Sequence, residues 1–207
     1  HRDLHSFPTR RLPIYVVIID HHPLIGELPQ RCIIFNPSVP NYTFCSTSIL
    51  CNIIAEEMGL RDDFCDLLTL IGMKCDWAVE PAIDFVAPFC QPFYEEVKQK
   101  FKNLLKKISD RPTMFEVSQR KHTTVLNQIA EFFFALSGGG FQYFYNDRLK
   151  ELKGKNQVEI AFELLMNLIP RDYSSFEQFL TELPKEQNQI AKKIYQCFLD
   201  DWNKSKN

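Results

Sequence analysis

Several things are scarce in this chain, and each scarcity removes a class of protein. No apolar run approaches the roughly 20 residues of a membrane-spanning helix, and no charged start followed by an apolar block marks a signal peptide, so the cytoplasm is the expected compartment. Basic residues are not in surplus. With 24 Lys and Arg against 26 Asp and Glu, the net charge of -2 excludes a protein that grips long duplex nucleic acid by bulk electrostatics. No C-x-x-C pair occurs among Cys32, Cys45, Cys51, Cys65, Cys75, Cys90 and Cys197, which argues against structural zinc and predicts packed, unpaired thiols. Glycine is rare, at seven against 18 Phe, and this balance predicts a helical core filled with phenylalanine. There is no internal repeat and no low-complexity tract.

What is present begins with a continuous apolar run, Leu12-Pro13-Ile14-Tyr15-Val16-Val17-Ile18-Ile19, of the kind found in strands buried on both faces of a parallel sheet. It stops at Asp20-His21-His22-Pro23. A second strand is expected over 32–35, ending at Asn36-Pro37. Ser46 or Thr47 is placed to cap a helix running through Met58, with Gly59 as its stop signal, and Asp62 or Asp63 to open another from Phe64 to about Lys74. Beyond Asp76 the texture changes to Phe, Lys and Glu at helical spacing, which predicts helices over 93–108, 124–136, 157–168, 176–183 and 185–203. The expected class is α/β: a partial parallel sheet flanked by helices over 1–80, then a mainly helical region over 81–207. One strong and one weak strand make too small a parallel sheet, so further strands are expected upstream of His1, which is the favoured reading, on a second chain, or hidden within the expected helices.

The chemistry is concentrated at the end of the first strand. Open α/β sheets bind ligands at the carboxyl ends of their strands, and an acid with two imidazoles directly follows Val16-Val17-Ile18-Ile19. Side chains alternate along extended backbone, so His21 and His22 are expected to face opposite ways, one as a metal ligand and the other toward a phosphate or a neighbour. The blander reading makes Asp20 a turn cap and the histidines surface residues.

Read together, VVIIDHHP, IIFNP, STSILCNIIAEEMGL and LLTLIGMKCD resemble the second half of the core of the DHH-family phosphoesterases. In that family a D-H-H-P motif ends a strand, a Ser-rich segment opens a helix, and an L-x-G-x-x-x-D stretch follows. The resemblance covers Leu12 to Trp77 and implies a phosphoesterase dependent on Mn2+ or Mg2+. It implies that His21 is a metal ligand, that His22 contacts the substrate phosphate beside Asp20 in the catalytic group, and that Asp76 is a later metal-binding carboxylate. Asp3 is the candidate for the family's upstream bridging carboxylate. The family's N-terminal H-x-x-x-D-x-D motif has no counterpart here, so Asp3, His21 and Asp76 are expected to hold a single metal, and the chain alone to turn over little. Hard oxygen ligands with imidazole suit these ions, and two-metal hydrolysis needs no protein nucleophile. Cys75 is accordingly read as a packed thiol.

Secondary candidates for phosphate contact are Gly138, Gly139 and Gly140, whose amides can approach an anion, and Arg148, beside Asp147. A helix C-cap explains the glycines more simply. Arg120, Lys121 and His122, with Lys98, Lys100, Lys102, Lys106 and Lys107, form either a solvated face or a track for a short single strand, with Phe141, Tyr143, Phe144 and Tyr145 available to stack bases. The expected partner is a phosphate-containing small molecule or short single-stranded nucleic acid, with no membrane involved. The alternative is a catalytically inactive DHH-fold scaffold.

Overall fold

In a computed structural model, residues 15–27, 30–38, 42–109, 123–137 and 157–205 are described. Strand β1 (Val16–Ile19) pairs in parallel with β2 (Cys32–Phe35), in the register Val16↔Cys32 through Ile19↔Phe35. Helices α1 (Thr47–Glu57) and α2 (Asp63–Cys75) follow and pack on each other. Both open as the sequence predicts. The Ser46 hydroxyl accepts from the Ser48 amide and the Asp62 carboxylate from the Cys65 amide, each satisfying a donor that the first turn leaves open. Gly59 closes α1 at φ +68, a left-handed position that costs glycine nothing.

The downstream half is mostly helical: α3 (Gln91–Val97), α4 (Lys102–Leu105), α5 (Val125–Leu136), α6 (Gln157–Met166), α7 (Phe176–Glu182) and α8 (Lys185–Ser205). Helix α5 is apolar nearly all round, the mark of a central helix, and it packs against α2, α4, α6, α7 and α8. The expected phenylalanine core is present. Phe132 lies edge-on to Phe176, Phe179 and Tyr195 with ring centroids 5.5–5.9 Å apart, geometry that aromatic quadrupoles favour. Among the described residues, buried apolar side chains from Cys45 to Ile194 form one cluster.

Three expectations change. The single helix over 93–108 is broken, because α3 ends at Val97 and α4 starts afresh at Lys102. The Asp172 carboxylate accepts from the amides of Asn103 (2.8 Å) and Leu104 (2.8 Å), a cap supplied from a distant part of the chain. The stretch from Lys107 to Ser109 then becomes β5, antiparallel to β6 (Thr123–Thr124), and a second small ribbon joins β3 (Val79–Glu80) to β4 (Phe85–Val86). Second, β1 is not buried on both faces: Val16 and Val17 are exposed, since among the described residues only β2 pairs with it. Third, the seven cysteines are free as expected, but only Cys45 and Cys90 are buried, and Cys51 is exposed. No helix among the described residues is long and apolar enough to cross a membrane.

Candidate functional site

At the end of β1 the backbone leaves the extended form and bends at His22. The bend undoes the expected alternation. His21 and His22 lie on the same side, rings stacked with centroids 4.2 Å apart and planes 28° apart. One ligand atom from each of Asp20, His21 and His22 falls within 4.8 Å of the other two, the spacing of a metal-binding group.

Hydrogen bonds hold the group, some within it and some from the residues around it. Asp20 Oδ1 accepts from the His21 amide (2.7 Å) and the His22 amide (3.2 Å) and meets His22 Nδ1 at 2.7 Å. His21 Nδ1 lies 2.7 Å from Thr47 Oγ1, in the first turn of α1. The backbone is clamped as well: Asn36 Nδ2 donates to the His22 carbonyl (2.8 Å) and Ser38 Oγ to the His21 carbonyl (2.7 Å). Partial burial pushes the Asp20 carboxyl up, but the His22 ring, the two amides and the charge on His22 outweigh it and hold Asp20 below its usual range. Asp20 is therefore an anion at neutral pH.

Asp76 meets the same helix end. As the last residue of the α2 cap it accepts a 2.6 Å hydrogen bond from Ser46 Oγ, one residue before Thr47. Asp76 stands outside the group of three, joined to it through Ser46 and Thr47. The contact depends on Gly72, because a Cβ there would lie 2.5 Å from Ser48 Cβ and 2.7 Å from Ser48 Oγ. Only a hydrogen at that position lets α2 seat against the first turn of α1. Beyond Asp76, Lys74 and Glu80 form a buried ion pair that ties β3 back to α2. The turn between them carries Trp77 at φ +62, a conformation that costs a residue with a Cβ about 1–2 kcal/mol.

Asp3, Gly138, Gly139, Gly140 and Arg148 lie outside the described residues, as do Arg120, Lys121, His122, Asp147 and the aromatic run from Phe141 to Tyr145. Of the lysines in the expected track, Lys98 and Lys100 lie between α3 and α4 and have acidic partners: Lys98 pairs with Glu95, and Lys100 meets Asp63 at 2.6 Å and Asp66 at 2.8 Å. Burial and the neighbouring Asp76 push the Cys75 thiol up to about 12, which leaves it protonated and unreactive. Sequence reasoning did not single out Asn36, Ser38 or Thr47 for the site. The available signal was polarity in an apolar setting, since Asn36 and Ser38 are buried polar residues. No protein-family model, no curated protein and no solved structure matches this chain.

Proposed function

We propose that this protein is a divalent-metal-dependent phosphoesterase of the DHH type, hydrolysing phosphodiester or phosphoanhydride bonds of a small nucleotide or a short single-stranded nucleic acid. The observation that carries the reading is the convergence of Asp20, His21 and His22 within 4.8 Å at the carboxyl end of a parallel strand. Its motifs arrive in the order the family uses, and the L-x-G-x-x-x-D stretch has a physical reason in the Gly72–Ser48 contact.

The donor set fits Mn2+ or Mg2+: carboxylate oxygen with imidazole, and no thiolate in the group. Both imidazoles have Nδ1 engaged, His21 with Thr47 and His22 with Asp20, which leaves Nε2 as the nitrogen for a ligand. Partners of this kind fix ring orientation at metal sites. His21 Nε2 is the metal-binding nitrogen. His22, steadied by the anionic Asp20, donates from Nε2 to a phosphoryl oxygen. Asp76, oriented by Ser46, supplies the second carboxylate. A divalent ion held by these residues would supply an acidified water and positive charge for the phosphoryl oxygens.

Hydrolysis of bis(4-nitrophenyl) phosphate across a Mn2+ titration of the intact protein tests the assignment. Turnover should require the metal and vanish in His21→Ala and Asp76→Ala while far-UV circular dichroism is unchanged. A wild-type rate in either variant removes the catalytic assignment.

A further inference from the structure

Strands β1 and β2 stop pairing at the same level, and side chains take over from the ladder. The last main-chain bond between them runs from the Asp20 amide to Phe35 O (3.2 Å). One residue beyond β2, Asn36 donates from Nδ2 to the His22 carbonyl (2.8 Å), while its Oδ1 accepts from the Ser38 amide (2.8 Å). Ser38 Oγ in turn donates to the His21 carbonyl (2.7 Å). Its other acceptor, Thr43 O, is farther away at 3.3 Å, and a hydroxyl has one proton to give, so His21 takes the stronger bond. Both Asn36 and Ser38 are buried.

These contacts require a bent chain. Along extended backbone successive carbonyls point to opposite edges of the strand, so one turn over 36–38 could not reach the carbonyls of His21 and His22 together. The same bend stacks the two imidazoles at 4.2 Å, because extended backbone would send them to opposite sides. On the amide side it is held by Asp20 Oδ1, which accepts from the His21 and His22 amides. Asp20 is also one of the three groups within ligand reach, so its oxygens are shared between holding the bend and meeting an ion. The carbonyl side is held by Asn36 and Ser38, which stand outside that group.

The geometry points to Asn36 and Ser38 as positioning residues, whose side chains hold the bend that brings His21 and His22 to one side of the strand end. Their bearing on an ion rests on the phosphoesterase reading; their hold on the stacked rings does not. The role asks for particular chemistry. Position 36 needs a donor and an acceptor on one short side chain, which asparagine supplies and an ionised aspartate, an acceptor only, does not. Position 38 needs a hydroxyl, so threonine serves and alanine does not.

Asn36→Asp, Ser38→Ala and Ser38→Thr in the full chain test this with two readouts that a role in stability alone would leave unmoved. In the metal-free protein, carbon-13 histidine spectra read the ring-current shifts of the His21 and His22 signals, assigned by substituting each histidine in turn. Electron paramagnetic resonance of added Mn2+ reads the affinity of the site. The ring-current shifts should be lost in Asn36→Asp and Ser38→Ala, with Mn2+ bound about 10–100-fold more weakly, and Ser38→Thr should keep both properties. Ser38→Ala removes a single oxygen atom, and far-UV circular dichroism checks its fold. Absence of the shifts in the wild type, unchanged shifts in Asn36→Asp and Ser38→Ala, or equal loss in Ser38→Ala and Ser38→Thr overturns the proposal. So does unchanged Mn2+ affinity in the variants of a protein that binds the ion. If the wild type binds no Mn2+, the metal reading fails and the ring shifts alone decide the positioning role; if it binds Mn2+ and the rings stay stacked in both variants, the positioning role fails and the metal reading stands.

Discussion

Replacing Gly72 with alanine puts a methyl group where Ser48 already sits. The new Cβ would lie 2.5 Å from Ser48 Cβ and 2.7 Å from Ser48 Oγ, against an ordinary separation of about 3.5–4.0 Å between carbons. Rotating the hydroxyl relieves only the second contact. The first is between atoms fixed to two helix backbones, so α1 has to retreat from α2 by about 1 Å to reach the ordinary separation. Overpacking of this kind costs about 1–3 kcal/mol, and alanine's better helix propensity returns about 1 kcal/mol. The expected net loss is about 0–2 kcal/mol, or up to roughly 8 °C in Tm for a chain of this size. Function should suffer more than stability, because Ser46 and Thr47 sit on the turn that moves. Their hydrogen bonds to Asp76 (2.6 Å) and His21 (2.7 Å) would stretch past bonding distance, and a misplacement of that size costs turnover about 100-fold. Thermal denaturation and Mn2+-dependent hydrolysis measure the two effects. Adding Ser48→Gly should rescue both, since it removes Cβ and Oγ and leaves Cα, 3.9 Å away, as the nearest atom. Ser48→Ala should not, because it keeps Cβ. Wild-type behaviour of Gly72→Ala, or equal rescue by the two Ser48 variants, refutes the argument.

Other outcomes follow from the same geometry. Thr47→Val removes the partner of His21 Nδ1 and should weaken Mn2+ binding about 10–100-fold with little change in Tm, as isothermal titration calorimetry would show. Burial pushes Asp66 up, but hydrogen bonds from Arg61 and Lys100 outweigh it and hold the carboxyl below 3.8. A depressed carboxyl contributes stability that is complete above 3.8 and is lost as pH falls through the lower folded value. Asp66→Asn should therefore cost about 2–3 kcal/mol in urea unfolding at pH 7, and a penalty undiminished in acid would contradict this. Iodoacetamide at pH 8, followed by peptide mass mapping, should label exposed Cys51 first and leave Cys75 unmodified.

The parts of the fold that were legible in the sequence are those whose cause is local. Ser46, Asp62 and Gly59 announce the ends of α1 and α2 because each acts on its own turn, and the apolar run before Asp20 announces β1. The ribbons β3–β4 and β5–β6 gave no such signal, since pairs of two or three residues depend on what lies opposite. The break between α3 and α4 was equally hidden: its cap, Asp172, is 69 residues from Asn103. The site divides the same way. Asp20, His21 and His22 could be named from their place after a strand, whereas Thr47, Asn36 and Ser38 join them only because α1 and the turn after β2 fold back over the strand end. The stacking of the two imidazoles was missed for one reason, the bend at His22, which removes the alternation of extended backbone.

Anomalous diffraction at the manganese edge, from crystals grown in MnCl2, would locate the ion. A peak bonded to the Nε2 of His21, beside Asp20 and His22, is the expected result. Saturating Mn2+ with no peak there, or one confined to the charged cleft of Asp62, Asp63 and Glu96, would contradict the assignment of this strand end as a metal site.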